Sequence, residues 1–410
     1  MFCFKSIIMV SISLFILVTL ITTVISQECV PYTSSYNFTG YPGIWEKPTS
    51  TVFNTDEFKR VNSSIDWTKV PKVATHKLTK AGDIDQTGYS ASDPDCWWSY
   101  NLCTTPKAAG LKPDVVSCPE PGTWGLTYDD GPNCSHTVFY DFLKQNKQRA
   151  TMFFIGSNVA SLPNEAKRAL DDGHQICVHT WSHQYMTTLT NEEALAELYY
   201  TLKAIKYVIG VTPLCWRPPF GDVDDRIRAI AQQLNLTTII WNLDTNDWNE
   251  TPDGTETSAQ VDATFQGFVN MGANGTFNNS GVIVLEHELD NNTMSKAVEW
   301  YPKIKAAYKY IVPVASCLNT THPYLEANFT YPSFLEYING NITTTTTQAT
   351  TPTPSNTQTG IANIDVQSTT TAASNPSPST KSASASISSY NSLISMMIAI
   401  LIAQLFNNFF

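Results

Sequence analysis

The chain has 410 residues, 42% of them hydrophobic, and a formal net charge of −11. That is enough apolar material for a sizeable core, and enough length for two or three domains. The negative balance would repel a phosphate backbone, so no nucleic acid partner is expected.

In chain order, Lys5 and an apolar run from Ile7 to Ile25 predict a secretory signal over residues 1–26. Nine cysteines are present, and Cys3 leaves with the signal. The remaining Cys29, Cys96, Cys103, Cys118, Cys134, Cys177, Cys215 and Cys317 form an even set, which in a secreted chain points to disulfides. Acceptor triplets for N-glycosylation recur at Asn37, Asn62, Asn235, Asn249, Asn274, Asn319, Asn328 and Asn341. Residues 27–117 are rich in Pro, Thr and aromatic residues and read as an N-terminal extension. Trp97 and Trp98, beside Cys96, read as loop packing rather than as a sugar platform.

Over residues 118–320 the pattern becomes a regular alternation of β-rich runs with amphipathic stretches. The runs are Trp124–Tyr128, Thr151–Ile155, Gln175–His179, Leu214–Arg217, Thr237–Leu243, Val282–Glu286 and Tyr310–Val314. Thr190 with Glu193 predicts a capping box, Gly210 the end of the same helix, and Ser135 the cap of the helix carrying Phe139 and Leu143. Seven strands with six helices between them predict an α/β parallel sheet, closed or nearly closed into a barrel. An open doubly wound sheet is the alternative.

Residues 321–342 follow as a C-terminal extension. Residues 343–384 are mostly Thr, Ser, Pro and Ala and predict a disordered, O-glycosylated stalk. Small residues Ser382, Ala383, Ser384 and Ala385, a polar spacer and the apolar run Leu393–Phe406 predict a glycolipid-anchor signal, with residues 385–410 removed. A cell-surface location follows, in the cell wall and at the plasma membrane through the anchor.

In α/β barrels the reacting residues lie at the C-terminal strand ends. Five such ends carry polar or aromatic clusters: Thr127–Pro132, His179–His183, Arg217–Gly221, Asp244–Trp248 and Leu285–Glu288. Two imidazoles and one carboxylate make an open three-ligand site for Zn²⁺ or a similar divalent ion. A second carboxylate can take a proton from water, and a histidine on the far side can protonate a leaving group. Asp129 and Asp130 can supply one base and one ligand. Together these parts make a set for hydrolysis of an acyl group.

At these clusters the sequence resembles the polysaccharide deacetylases of the NodB-homology family, carbohydrate esterase family four. All five ordered motifs of that family occur between Cys118 and Cys317. Tyr128 stands where Phe is commoner. The resemblance implies a distorted (β/α)7 barrel and one divalent metal, zinc or also cobalt. It implies Asp129 as general base, His287 as general acid, and Asp130, His179 and His183 as metal ligands. Arg217 would orient Asp129, the backbone at Phe220 would help hold the oxyanion, and Asp247 would pair with His287. Trp248 and Leu285 would wall the acetyl pocket. The whole-chain architecture looks most like fungal chitin deacetylases, which implies a monomer acting on chitin or another N-acetylglucosamine polymer to give chitosan and acetate. Acetyl-xylan or peptidoglycan is the alternative substrate, and a non-catalytic surface mannoprotein the alternative class. Cys118 lies just before the first strand and Cys317 just after the last, so a disulfide between them is expected; Cys134 with Cys215 is the second expected pair.

Overall fold

A computed structural model describes residues 36–250 and 254–341, and the backbone of 345–346. The signal segment, Cys29, the stalk apart from the backbone of 345–346, and the anchor signal lie outside the described residues.

The sheet is parallel and strongly curled. Its strands are β1 (Thr123–Gly131), β2 (Thr151–Phe154), β3 (Gln175–Val178), β4 (Cys215–Trp216), β5 (Thr237–Thr238), β6 (Leu243–Asp244), β7 (Val282–His287) and β8 (Tyr310–Val312). The order is β5-β4-β3-β2-β1-β7-β6, and β8 pairs with the start of β1. The run expected as one strand over Thr237–Leu243 is two short strands. Its first half pairs with β4 and its second half with β7, so one segment carries the ring from one edge to the other. Val115, from the N-terminal extension, bridges to Ile239 between the two halves. The sheet is thus a distorted barrel rather than an open doubly wound sheet.

Side-chain alternation sorts the strand residues into two layers. Trp124, Leu126, Tyr128, Met152, Phe154, Ile176, Val178, Trp216, Val282 and Val284 pack in one buried cluster with helix residues such as Leu143, Ala166, Leu195 and Ile227. Phe153, Cys177, Cys215, Ile239 and Ile283 form a second cluster inside the ring. Each strand therefore reads as a near-continuous apolar run, as expected where both faces are covered.

The helices between strands are α1 (Thr137–Gln145), α2 (Gly156–Ser161), α3 (Pro163–Asp171), α4 (Asn191–Ile209), α5 (Asp225–Gln233), α6 (Ser258–Ala273) and α7 (Asn291–Ala307). The Thr190/Glu193 capping box is formed, and Gly210 closes α4 at φ 91°. Ser135 does not cap α1. The cap position falls on His136, and the Ser135 hydroxyl donates to Asn133 Oδ1 at 2.7 Å.

Both flanking extensions pack onto the barrel. Val52, Phe58, Ile65 and Val70 join its outer core, as do Tyr324, Phe329 and Tyr331. Arg228 ties the N-terminal side down through Asp114 and the carbonyls of Cys96 and Cys103. Three disulfides are described: Cys118–Cys317, Cys96–Cys103 and Cys177–Cys215. The expected Cys134–Cys215 pair is not formed. Cys177 and Cys215 both face the inside of the ring from adjacent strands, with Cα atoms 5.1 Å apart, and that proximity takes Cys215. Cys134 is disulfide-bonded as well. Of the glycosylation acceptors, Asn37, Asn235, Asn274, Asn319, Asn328 and Asn341 are exposed, and Asn62 and Asn249 are half-buried.

Candidate functional site

The inward-facing rows of the strands end at one mouth. On β1 the inward positions run Gly125, Thr127, Asp129; on β7 they run Ile283, Leu285, His287. Asp129 and His287 are register partners across these two strands. His179 follows Cys177 on the inward row of β3, and Arg217 follows Cys215 on that of β4. Period-two alternation would send Asp130 to the outer face. Its φ of 70° turns it back, so both aspartates line the same cleft.

Asp130 Oδ1 lies 3.4 Å from His179 Nε2 and 3.2 Å from His183 Nε2. One ligand atom from each of these three residues lies within 4.8 Å of the others. Asp130 Oδ1 is buried with no hydrogen-bond partner. His179 Nδ1 is 2.8 Å from the Arg217 carbonyl, which fixes Nδ1 as the protonated nitrogen and leaves the Nε2 lone pair facing Asp130. An orphaned carboxylate oxygen beside two imidazole nitrogens fits a divalent cation. Burial works against charge on Asp130, but the His183 and His179 imidazoles, in their protonated form, outweigh it and hold the carboxyl well below its usual range.

Asp129 sits beside this triad. Arg217, fully buried, donates to Asp129 Oδ1 at 2.7 Å and to Thr127 Oγ1 at 2.8 Å. The guanidinium lies over the Phe153 ring, 4.1 Å from its centroid. Asp129 Oδ2 lies 3.7 Å from His179 Nε2. On the other side, His287 Nδ1 is 2.7 Å from Asp247 Oδ1, and the His287 amide donates to Asp247 Oδ2 at 2.9 Å. Burial alone would depress the His287 pKa. The Asp247 carboxylate overcomes that and pushes it up to about 10.

Asp129, Asp130, His179, His183 and His287 share a cleft of about 730 Å³, which Phe220, Trp248 and Leu285 also line. Phe220 stacks on Tyr185 at 4.0 Å and approaches His183 at 4.6 Å.

Sequence reasoning did not find several supports. Glu197 accepts from the Trp181 and Ser182 amides and the Ser182 hydroxyl, holding the loop between the two histidines. Burial raises its carboxyl to about 7. Glu288 accepts from the Asn133 amide and Tyr140 hydroxyl and faces His136 Nδ1 at 2.9 Å, fixing the loop after β1. A buried carboxylate that holds backbone amides leaves no local spacing pattern. Trp97 and Trp98 divide. Trp97 is fully buried and donates to Asp222 at 2.8 Å, whereas Trp98 lines the cleft.

A family model described as polysaccharide deacetylase matches residues 117–239. That span holds Asp129, Asp130, His179, His183 and Arg217 but stops short of Asp247 and His287. A chitin deacetylase of Amylomyces rouxii is 53% identical over 309 residues, spanning 73% of this chain and 72% of that protein. The chain belongs to the polysaccharide deacetylase family. A further family member, chitin deacetylase 2 of Cryptococcus neoformans var. grubii, is 51% identical over 329 residues, 78% of this chain and 71% of that protein. Among solved structures, the chitin deacetylase from Colletotrichum lindemuthianum aligns with a TM-score of 0.47 at 27% identity, over 53% of this chain and 96% of that one. The protein is a polysaccharide deacetylase enzyme, which sets aside the surface mannoprotein reading.

Proposed function

We propose that this deacetylase hydrolyses the N-acetyl groups of chitin, giving chitosan and acetate, with one divalent metal held by Asp130, His179 and His183. Zinc suits two imidazoles and a carboxylate, and cobalt suits the same donors. The observation that carries the chemistry is the register pairing of Asp129 with His287 beside that triad. Chitin as substrate is supported by the names of the relatives at 53% and 51% identity.

When bound, the metal supplies Lewis acidity toward the acyl carbonyl and the attacking water. Arg217 occupies Asp129 Oδ1 and leaves Oδ2 as the oxygen available to a proton. Asp129 Oδ2 accepts the water proton as the new C–O bond forms. Asp247 holds His287 through Nδ1, which leaves Nε2 to deliver a proton to the amide nitrogen as the C–N bond breaks. Acetate and a free amine result. The Phe220 backbone would hold the oxyanion, and Trp248 and Leu285 would enclose the acetyl methyl.

The test is acetate release from N-acetylglucosamine oligomers and from acetyl-xylan, with and without chelator. Release from the former, abolished by chelator and restored by zinc or cobalt, is expected. Release from acetyl-xylan alone would replace chitin as the substrate. Release that chelator leaves untouched would remove the metal from the mechanism.

The signal, stalk and anchor patterns support action at the cell surface, with the barrel tethered near the wall, in the plasma membrane by glycolipid. Mass spectrometry of the mature C-terminus tests this. A recovered peptide containing Met396 or Leu405 would overturn the anchor.

A further inference from the structure

The strand-end motifs do not supply every wall of the cleft. Trp45 and Trp98 come from the segment before the barrel, and both line the cleft beside Asp129, Asp130 and His287. They are held differently. Trp98 packs 4.9 Å from Trp241 and so close to Gly221 that a Cβ there would meet its ring. Trp45 is 49% exposed.

Trp45 is pinned through its backbone and its neighbours. Its amide donates to Ser157 Oγ at 2.8 Å, at the start of α2. Two residues earlier, the Gly43 carbonyl accepts from Trp181 Nε1 at 2.8 Å. Two residues later, Lys47 pairs with Glu193 at 2.7 Å. Trp181 belongs to the loop between His179 and His183, so this turn is fastened to the metal-ligand loop itself. Within it Trp45 has φ 61°, a left-handed conformation that is costly for a bulky side chain. Burial does not offset that cost, because half of the side chain is exposed. A strained, half-exposed indole facing a cleft marks a surface shaped for a ligand.

Strand order fixes which side of the cleft this is. Trp45 is fastened over α2, which follows β2, and β2 flanks β1 on one side. Trp248, 43% exposed, follows β6, which lies on the other side of β1 beyond β7. Asp129 and His287 sit between them. A linear polymer lying across the mouth therefore meets an exposed indole on each side of the reacting groups.

We propose that Trp45 is a sugar-stacking subsite, supplied by the N-terminal extension, which binds a ring of the N-acetylglucosamine chain removed from the ring being deacetylated. The apolar face of a pyranose packs on an indole as other apolar faces do. This rests on the reading of the substrate as an N-acetylglucosamine polymer. Trp45 then sets how strongly the enzyme prefers long chains over short ones.

The experiment measures kcat/KM for acetate release from oligomers of two to six sugars, using the full, metal-loaded protein. The variants are Trp45→Ala, Trp45→Tyr and Trp45→Gly. In Trp45→Ala the loss should grow with chain length, reaching on the order of tenfold on the longest oligomer, the worth of about one aromatic contact. It should appear mainly in KM. Trp45→Tyr should restore most of it. Trp45→Gly should lose the length preference yet melt no lower than the parent, since glycine adopts the left-handed conformation freely. Equal loss at every length, or no loss at any, overturns the subsite while leaving the deacetylase reading intact. A parent protein inactive on every N-acetylglucosamine oligomer overturns the substrate reading, and the subsite with it.

Discussion

The two ends of the barrel are built from the same strands and obey different rules. At the closed end, the short helices Val314–Cys317 and Phe334–Ile338 cover an apolar interior. Gln175 is matched there: its Oε1 accepts from Thr151 Oγ1 and from the Ala315 amide. The Cys118–Cys317 disulfide closes a span of 199 residues. At the open end, ionisable side chains are buried, Asp130 Oδ1 has no hydrogen-bond partner, and Asp130, Thr180, His183, Phe220 and Asn246 all have positive φ. One end holds the fold through apolar packing and a cross-link. The other stores strain and buried charge where the chemistry would occur.

The largest test of that contrast removes a proposed ligand. His179→Ala or His183→Ala should abolish acetate release and bound metal together, because two ligands hold the ion poorly. The apo proteins should melt near the apo parent, since these side chains lie at the open end. Full activity in either purified variant would refute the ligand set.

Next come the groups proposed to handle protons. Asp129→Asn should keep the metal and lose about 10²–10⁴-fold in kcat. Loss of metal instead would exchange the roles of Asp129 and Asp130. His287 carries a pH signature. With its pKa at about 10 it stays protonated through neutrality and loses its proton only as pH rises through that value. Asp247→Asn removes the carboxylate that raises it, so the alkaline limb of the rate profile should move to lower pH. An unmoved limb would assign that limb to another group.

The closed end is tested by Cys118→Ser with Cys317→Ser. Loss of a cross-link over this span should cost about 2–5 kcal/mol of stability, read from denaturant unfolding. kcat at low temperature should be unchanged. A fall in kcat without a fall in stability would break the division between the ends.

The smallest effect is strain relief. Thr180 is β-branched, fully buried and at φ 65°. Thr180→Gly should raise stability by about 1 kcal/mol if the open end stores strain there. A loss of stability would mean that packing of the Thr180 side chain outweighs the backbone cost.

Local sequence determined a good deal here. All seven strand-bearing runs were legible, because each is a short apolar run bounded by turn or helix signals, but the run Thr237–Leu243 was read as one strand and holds two. The Thr190/Glu193 box and Gly210 were legible because capping involves neighbouring residues. The five polar strand ends were legible as places, since they interrupt the apolar runs. The Cys118–Cys317 pair followed from strand order, because β8 pairs with the start of β1.

What tertiary structure alone decided depends on which strands become neighbours and on how the backbone turns. The split of the Thr237–Asp244 segment serves closure between β4 and β7, which no local propensity records. The Cys177–Cys215 bond follows from two inward positions meeting on adjacent strands, whereas Cys134 and Cys215 only looked close by their common association with the mouth. Asp130 reaches the cleft through a left-handed φ that the Asp–Gly–Pro stretch permits but does not require. Glu197 and Trp45 meet the site from outside its motifs, through amides and hydroxyls distant in sequence, and Glu288, inside a motif, finds its partners Asn133, His136 and Tyr140 far from it in sequence. Local sequence could name the residues that bear charge because composition and period are one-dimensional. Which of them share a cleft is a property of register and closure, and only the folded chain sets those.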